Sequence, residues 1–199
     1  ELRGRLEAAL SSARSGLAAQ ESARTEARVH ASRAEACMSS HDYRGAMVSY
    51  EAAVALDVND GSLTSSYQSG VESARAALSA SLEAAHAKLA EGESAVAEGD
   101  METAIDCFNA GLSLDGMDDE ELKSSLRAAL QSAEASKAAR DEAREAAEGR
   151  LDEGKRRLSC REYDDAIDAL EAGLSLDTQS DELRGRLEAA LSSARSGLA

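Results

Sequence analysis

Apolar positions along this chain recur in steps of four, four and three. Leu63, Tyr67, Val71 and Ala74 make one such stripe, Leu122, Leu126, Leu130 and Ala133 a second, and Leu183, Leu187, Leu191 and Ala194 a third. That spacing puts each set on one face of an α-helix. Ahead of each stripe lies a shorter apolar pattern, Tyr43-Ala46-Tyr50, Met101-Ala104-Phe108 or Tyr163-Ala166-Leu170, running on to Leu56, Leu114 and Leu176. These patterns predict short helices over 43–56, 101–114 and 163–176, about 14 residues or four turns each. The intervening stretches 1–40, 61–98 and 119–160 contain no Pro and predict continuous helices of about 40 residues, roughly 60 Å long. From the first Leu of a long stretch to the following Tyr or Met is 41, 38 and 41 residues. A difference of three is close to one helical turn, which suits a continuous helix.

The short pattern is one sentence written three times. EGDMETAIDCFNAGLSLD at 98–115 returns as REYDDAIDALEAGLSLD at 161–177, with a looser version, HDYRGAMVSYEAAVALD, at 41–57. Tyr43, Met101 and Tyr163 are spaced by 58 and 62 residues. A larger repeat overlies this one: ELRGRLEAALSSARSGLA at 1–18 is identical to 182–199, at an offset of 181. Either the chain is a window on a longer tandem array, or it closes its last unit with a copy of its first helix. Both imply that a unit cannot bury its apolar face alone and borrows a helix from its neighbour. Long, short and long helices in succession predict consecutive three-helix bundles in an elongated all-α rod, each long helix shared by two bundles. The first bundle takes 1–80 (helices 1–40, 43–56 and 61–80), the second 81–140 and the third 141–199. Residues 1–18 are then left without partners, exposed or frayed unless another molecule covers them. The middle of each long helix, such as 135–148, is polar nearly all round, with Lys137–Asp141 and Arg144–Glu148 as helix pairs.

Turns are expected at His41-Asp42, Gly99-Asp100 and Arg161-Glu162, and acidic loops follow at Asp57, Asp115 and Asp177. Asp60 or Ser62, Asp118, and Ser180 or Asp181 are the expected N-caps. The loop at Asp57 has some features of a calcium loop, but its Gly comes one place early and no bidentate Glu follows. Capping is the expected role.

The segment 87–119 resembles a tetratricopeptide repeat. The resemblance lies in Gly92, Gly99-Asp100, Ala104, Phe108, Gly111 and Leu112-Ser113-Leu114-Asp115. The third copy matches through Gly154, Tyr163, Ala166, Leu170, Gly173 and Leu176-Asp177, while the first has Ala34 for the helix Gly. Val58, Gly116 and Thr178 stand where that family has Pro, and the period is about 60 rather than about 34. Tyr43, Ala46, Tyr50 and Val54 are similar to the middle helix of MIT (microtubule-interacting and trafficking) three-helix bundles. Long helices shared between bundles resemble spectrin-type rods. These resemblances imply a helical repeat fold and protein partners rather than a particular ligand.

Composition agrees with helices. Pro and Trp are absent, aromatics are 3% and only Ile105 and Ile167 are Ile, so strand formers are scarce. The formal charge of -16 argues against nucleic-acid binding, which needs clustered Lys and Arg. Cys37, Cys107 and Cys160 lie far apart without ligand spacing, as expected of reduced, partly buried thiols in an intracellular protein. No signal-peptide pattern opens the chain and no apolar run approaches a membrane span. His30, His41 and His86 are isolated, and the Ser-rich stretches have no nucleophile context. Catalytic, cofactor-binding and metal residues are therefore expected to be none, and an enzyme is not expected. The expected function is a structural spacer, one segment of a tandem-repeat protein, cytoplasmic or cytoskeletal. Its partners would be neighbouring repeats or other proteins, with end-to-end or lateral self-association and no membrane insertion. The alternative is a module binding peptides in a groove between helices. Asp106 and Asp168 match between copies and Ser49 does not, which favours the spacer.

Overall fold

A computed structural model describes residues 1–56, 60–176 and 178–198. Among them the chain is all-helical, with long and short helices alternating: α1 Leu2–Ser39, α2 Tyr43–Ala55, α3 Gly61–Glu98, α4 Met101–Leu112, α5 Glu120–Ser159, α6 Tyr163–Leu174 and α7 Asp181–Leu198. The long helices run unbroken for 38, 38 and 40 residues. Each short helix stops one or two residues before its expected end. In α4 the last turn tightens, with the Ser113 N–H donating to the Ala110 carbonyl at 3.2 Å and the Leu114 N–H to the Gly111 carbonyl at 3.4 Å.

All three long helices end in the same way. His41, Gly99 and Arg161 take φ of 60°, 87° and 61°. The next N–H, of Asp42, Asp100 or Glu162, donates five residues back, to Cys37, Ala95 or Arg157, at 2.8 to 3.0 Å. This is the Schellman arrangement, and it satisfies carbonyls that a helix end would leave bare. Only the middle copy supplies Gly. Since a left-handed conformation costs a Cβ-bearing residue about 1–2 kcal/mol, Arg161→Gly should stabilise the chain by about 1 kcal/mol. Gly99→Ala should lose a similar amount, and urea midpoints of the two variants check both signs.

The caps expected for the long helices hold with one shift, and two residues expected only as turns, Asp42 and Asp100, also cap short helices. Asp42 accepts from the Gly45 N–H at 2.8 Å and Asp100 from the Thr103 N–H at 3.0 Å. Asp60 accepts from the Leu63 N–H, and the Ser180 hydroxyl from the Leu183 N–H, both at 3.3 Å. At α5 the cap is Asp119, not Asp118, accepting from the Leu122 N–H at 2.9 Å. Asp118 faces Arg44 at 3.4 Å instead. The expected loop residues Asp57, Val58 and Asp177 lie outside the described residues.

By contacts the chain divides into two compact units, Glu1–Glu91 with Cys107–Leu126, and Gly92–Asp106 with Arg127–Ala199. In the first unit, Ala27 and Ala31 of α1, Ala53 of α2 and Tyr67 of α3 form a core, with Tyr50, Val54, Leu56 and Leu63 packed around it. In the second, Ala147 and Leu151 of α5, Ala166 and Leu170 of α6, and Leu183, Leu187, Leu191 and Ala194 of α7 do the same. The layers repeat. Ala46, Ala104 and Ala166 are fully buried, as are Ala27, Ala85 and Ala147. Small residues let the backbones approach, and large ones fill the spaces that remain. Thus a Cβ on Gly111 would meet Leu126 at 3.0 Å, one on Gly173 would meet Leu187 at 2.8 Å, and one on Gly70 would meet the Tyr50 ring at 2.7 Å.

Candidate functional site

The first place to look for a binding site is the outer groove between each long helix and its short partner. In the first unit, α1 and α2 form a groove of about 280 Å³ lined by His30, Arg33, Arg44, Gly45, Val48, Ser49 and Ala52. In the second, α5 and α6 form one of about 300 Å³ lined by Arg150, Glu153, Arg157, Asp165, Asp168 and Ala169. Counted from Tyr43 and Tyr163, Arg33 corresponds to Glu153, Gly45 to Asp165 and Val48 to Asp168. The residue matching Asp106 and Asp168 is therefore Val48, which is 66% exposed, and not Ser49, which is buried. Equivalent grooves differ in charge, basic in the first unit and mixed acidic and basic in the second, while the layers beneath them have kept their small residues.

Charge concentrates at the end of α5. Arg157 lies 2.7 Å from Glu153, 2.7 Å from Glu162 and 3.0 Å from Asp165, and Arg156 adds a second contact to Glu153 at 2.7 Å. Hydrogen bonds from Arg156 and then Arg157 hold the Glu153 carboxyl at about 2, below its ordinary 4.5. A depressed folded-state value favours the folded state above the ordinary value, and the benefit disappears as pH falls through the folded one. Wild type should thus outlast Glu153→Gln at neutral pH, with the gap closing between about pH 4.5 and pH 2. Paired thermal melts across that range measure it. The cluster neutralises itself and leaves little charge to offer a ligand.

The turns before the short helices form a second set of contacts that spacing alone did not reveal. Within the first unit, Gly116 (φ 71°) packs against the Tyr43 ring with no room for a side chain, and His41 Nδ1 stands 3.9 Å from Asp115. The Ser81 hydroxyl donates to the Asp115 carbonyl at 2.7 Å. Within the second unit, Arg140 donates to the Gly99 carbonyl at 2.7 Å, and Lys137 pairs with Glu102 at 2.7 Å. The middle of α5 is therefore not a purely solvated bridge. Lys137 turns across to α4 rather than along its own helix to Asp141, while the expected Arg144–Glu148 pair forms at 3.4 Å. In both units a turn and a long helix or loop close on one another through main-chain carbonyls and small residues.

The third feature is an apolar face. Leu183, Leu187 and Leu191 in α7 are 2%, 2% and 7% exposed, whereas Leu2, Leu6 and Leu10, in the identical sequence, are 78%, 62% and 55% exposed. Leu17 is 58% exposed, and α1 has no buried residue before Ala27. As expected from the repeat, helix 1–18 is exposed, and it is helical throughout from Leu2.

Other expected groups stand apart. Cys37 and Cys107 are partly buried, but Cys160 is exposed, because it lies in the turn that ends α5. Burial, and then Asp42, push the Cys37 thiol up. Among the described residues no three His, Cys, Asp or Glu side chains are placed to hold a metal ion, and no helix is long and apolar enough to cross a membrane. No family model, no curated protein and no solved structure matches this chain.

Proposed function

We propose that this chain is a structural segment of a tandem-repeat protein, a spacer rod of consecutive three-helix bundles associated with a scaffold or the cytoskeleton inside the cell. One observation carries the reading. Between copies, the fully buried alanines that let helices approach (Ala27, Ala85, Ala147 and Ala46, Ala104, Ala166) are unchanged, while the residues lining the outer grooves change charge. A repeated ligand site would require the opposite. Spectrin-type sharing of long helices is the closest architectural analogy, and the tetratricopeptide-like and MIT-like residues belong to the packing layers. The turn contacts at Tyr43–Gly116 and Gly99–Arg140 add ties beyond helix continuity, as a stiff spacer needs.

A second reading, a peptide-binding module, draws on a groove of about 430 Å³ between α2 and α3, where Val54, Ala55 and Val71 lie between Glu51, Glu72 and Arg75. Small-angle scattering separates the two. A compact domain of this length has a radius of gyration of roughly 16 Å. Bundles advancing in line along helices of this length would give roughly 40 Å. A value near the smaller figure would sink the spacer and favour the groove.

A further inference from the structure

The α1–α2 groove of the first unit has had its charge reversed relative to both other copies. Arg33 corresponds to Glu91 and Glu153, Arg44 to Glu102 and Asp164, and Val48 to Asp106 and Asp168. Two guanidiniums and an aliphatic side chain thus stand where the other copies have carboxylates, in a chain of formal charge -16. This face stays open in copies that follow another copy, since Asp106 and Asp168 are exposed as Val48 is. In the third copy the groove answers its own charge, with Arg157 against Glu153 and Asp165. In the first, none of the described residues lining it is an acid. Arg33 has no ion-pair partner among the described residues. Arg44 meets Asp118 at 3.4 Å, but both side chains are more than half exposed and water screens the pair. Ser49 adds a second, independent sign. It is 5% exposed and borders the groove, and its hydroxyl has no hydrogen bond among the described residues. Packing does not require that hydroxyl, because Ala169 fills the same place in the third copy and is buried too. A buried hydroxyl without a partner is unfavourable, so its complement is a group that enters the groove.

We propose that this groove binds a short acidic segment of a partner protein. One Asp or Glu of that segment enters beside Arg33, Arg44 and Ser49, and an aliphatic neighbour lies on Val48 and Ala52. The two arginines supply charge-assisted N–H donors that suit a carboxylate. The Ser49 hydroxyl donates to the same group, and His30 stands at the rim. Val48, 66% exposed, gives the aliphatic neighbour a surface to cover. A bare anion would use the arginines and leave that surface in water, so the apolar element selects a peptide. The volume of about 280 Å³ lies just under the roughly 300–1,000 Å³ of pockets that enclose small ligands, and it suits a few side chains of a peptide. The acidic remainder of the chain repels a long acidic partner, which confines the contact to a short segment. The inference goes beyond the spacer reading, because a rod can carry a dock on one copy alone. Scattering tests the shape and leaves this groove untouched, so either idea can fail without the other.

The test presents the full chain to a library of short random peptides displayed on phage. Enriched peptides should place Asp or Glu beside Leu, Val or Ile. A synthetic peptide of the enriched sequence, followed by fluorescence anisotropy, is then the probe. Arg33→Glu and Val48→Asp each install the residue type of the other copies at an exposed position, so both variants should keep their helical circular dichroism. Each should weaken binding by about tenfold or more. Ser49→Ala, which copies Ala169, should weaken it by about threefold. Glu72→Ala, in the α2–α3 groove, should leave it unchanged. Amide shifts caused by the peptide should fall within 30–33 and 44–52. Three results would overturn the proposal. One is a selection that enriches no acidic peptide. Another is binding that survives both Arg33→Glu and Val48→Asp. The last is a set of shifts centred on 54–55 and 68–75, which would move the site to the α2–α3 groove.

Discussion

Leu187→Ala should destabilise the α5–α6–α7 bundle by about 3 kcal/mol, while Leu6→Ala, the same change in the same eighteen-residue sequence, should alter stability by less than about 0.5 kcal/mol. Leu187 is 2% exposed and Leu6 is 62% exposed. Truncating a buried Leu loses its transfer free energy and leaves a cavity, and the range measured for such changes is about 2–5 kcal/mol. Leu187 packs against the backbone of α6 at Gly173, 2.8 Å from where a Cβ would stand. Leu6 already stands in water in the folded chain, so its truncation removes little. Both substitutions have the same local helix propensity effect, which cancels in the comparison. Hydrogen exchange of α6 amides reads the local stability of the second unit and avoids assuming that the whole chain unfolds in one step. Equal effects at the two positions would refute the burial pattern described here.

Gly154→Ala should cost about 1–3 kcal/mol, against a gain of up to about 1 kcal/mol for Gly149→Ala five residues away on the same helix. Both glycines sit inside α5, so backbone entropy favours Ala at each. They differ in what faces them. A Cβ at Gly149 meets nothing within 4 Å, whereas one at Gly154 would stand 2.5 Å from Cγ of Leu170. Leu170 is fully buried, in one core cluster with Leu151 and Leu187, so it has little free space to move into. Overpacking then outweighs propensity. Thermal melts of the two variants should move in opposite directions. A stabilised Gly154→Ala would mean that α5 and α6 approach less closely than the structure has them.

Much of this architecture was legible in the order of residues. The stripe Leu183-Leu187-Leu191-Ala194 marked a helix face, and all four are buried. The turn at Arg161-Glu162 was legible from charge and position, but its left-handed conformation was not, since an Arg stands where Gly would be the usual sign. Asp118 and Asp119 are chemically equal cap candidates. The choice between them falls to Arg44, a residue from another helix that engages Asp118. Lys137 could reach Asp141 along its own helix or Glu102 on α4, and only the approach of α4 decides. The groove chemistry was also obscured, because a one-residue difference in register separates exposed Val48 from buried Ser49.

Helix content, the alternation of long and short elements and the ends of most helices follow from interactions within a few residues: i to i+4 spacing, caps, and the absence of Pro. Such interactions travel with the sequence wherever it is placed. Burial does not, because it depends on what another part of the chain brings near. ELRGRLEAALSSARSGLA is helical in both copies, in α1 from Leu2 and in α7 as far as Leu198. It is a core element only at the C-terminal end, where Ala147, Leu151, Ala166 and Leu170 lie against it. Local rules made both copies helices, and tertiary contact alone made one of them a core helix and left the other with a bare apolar face.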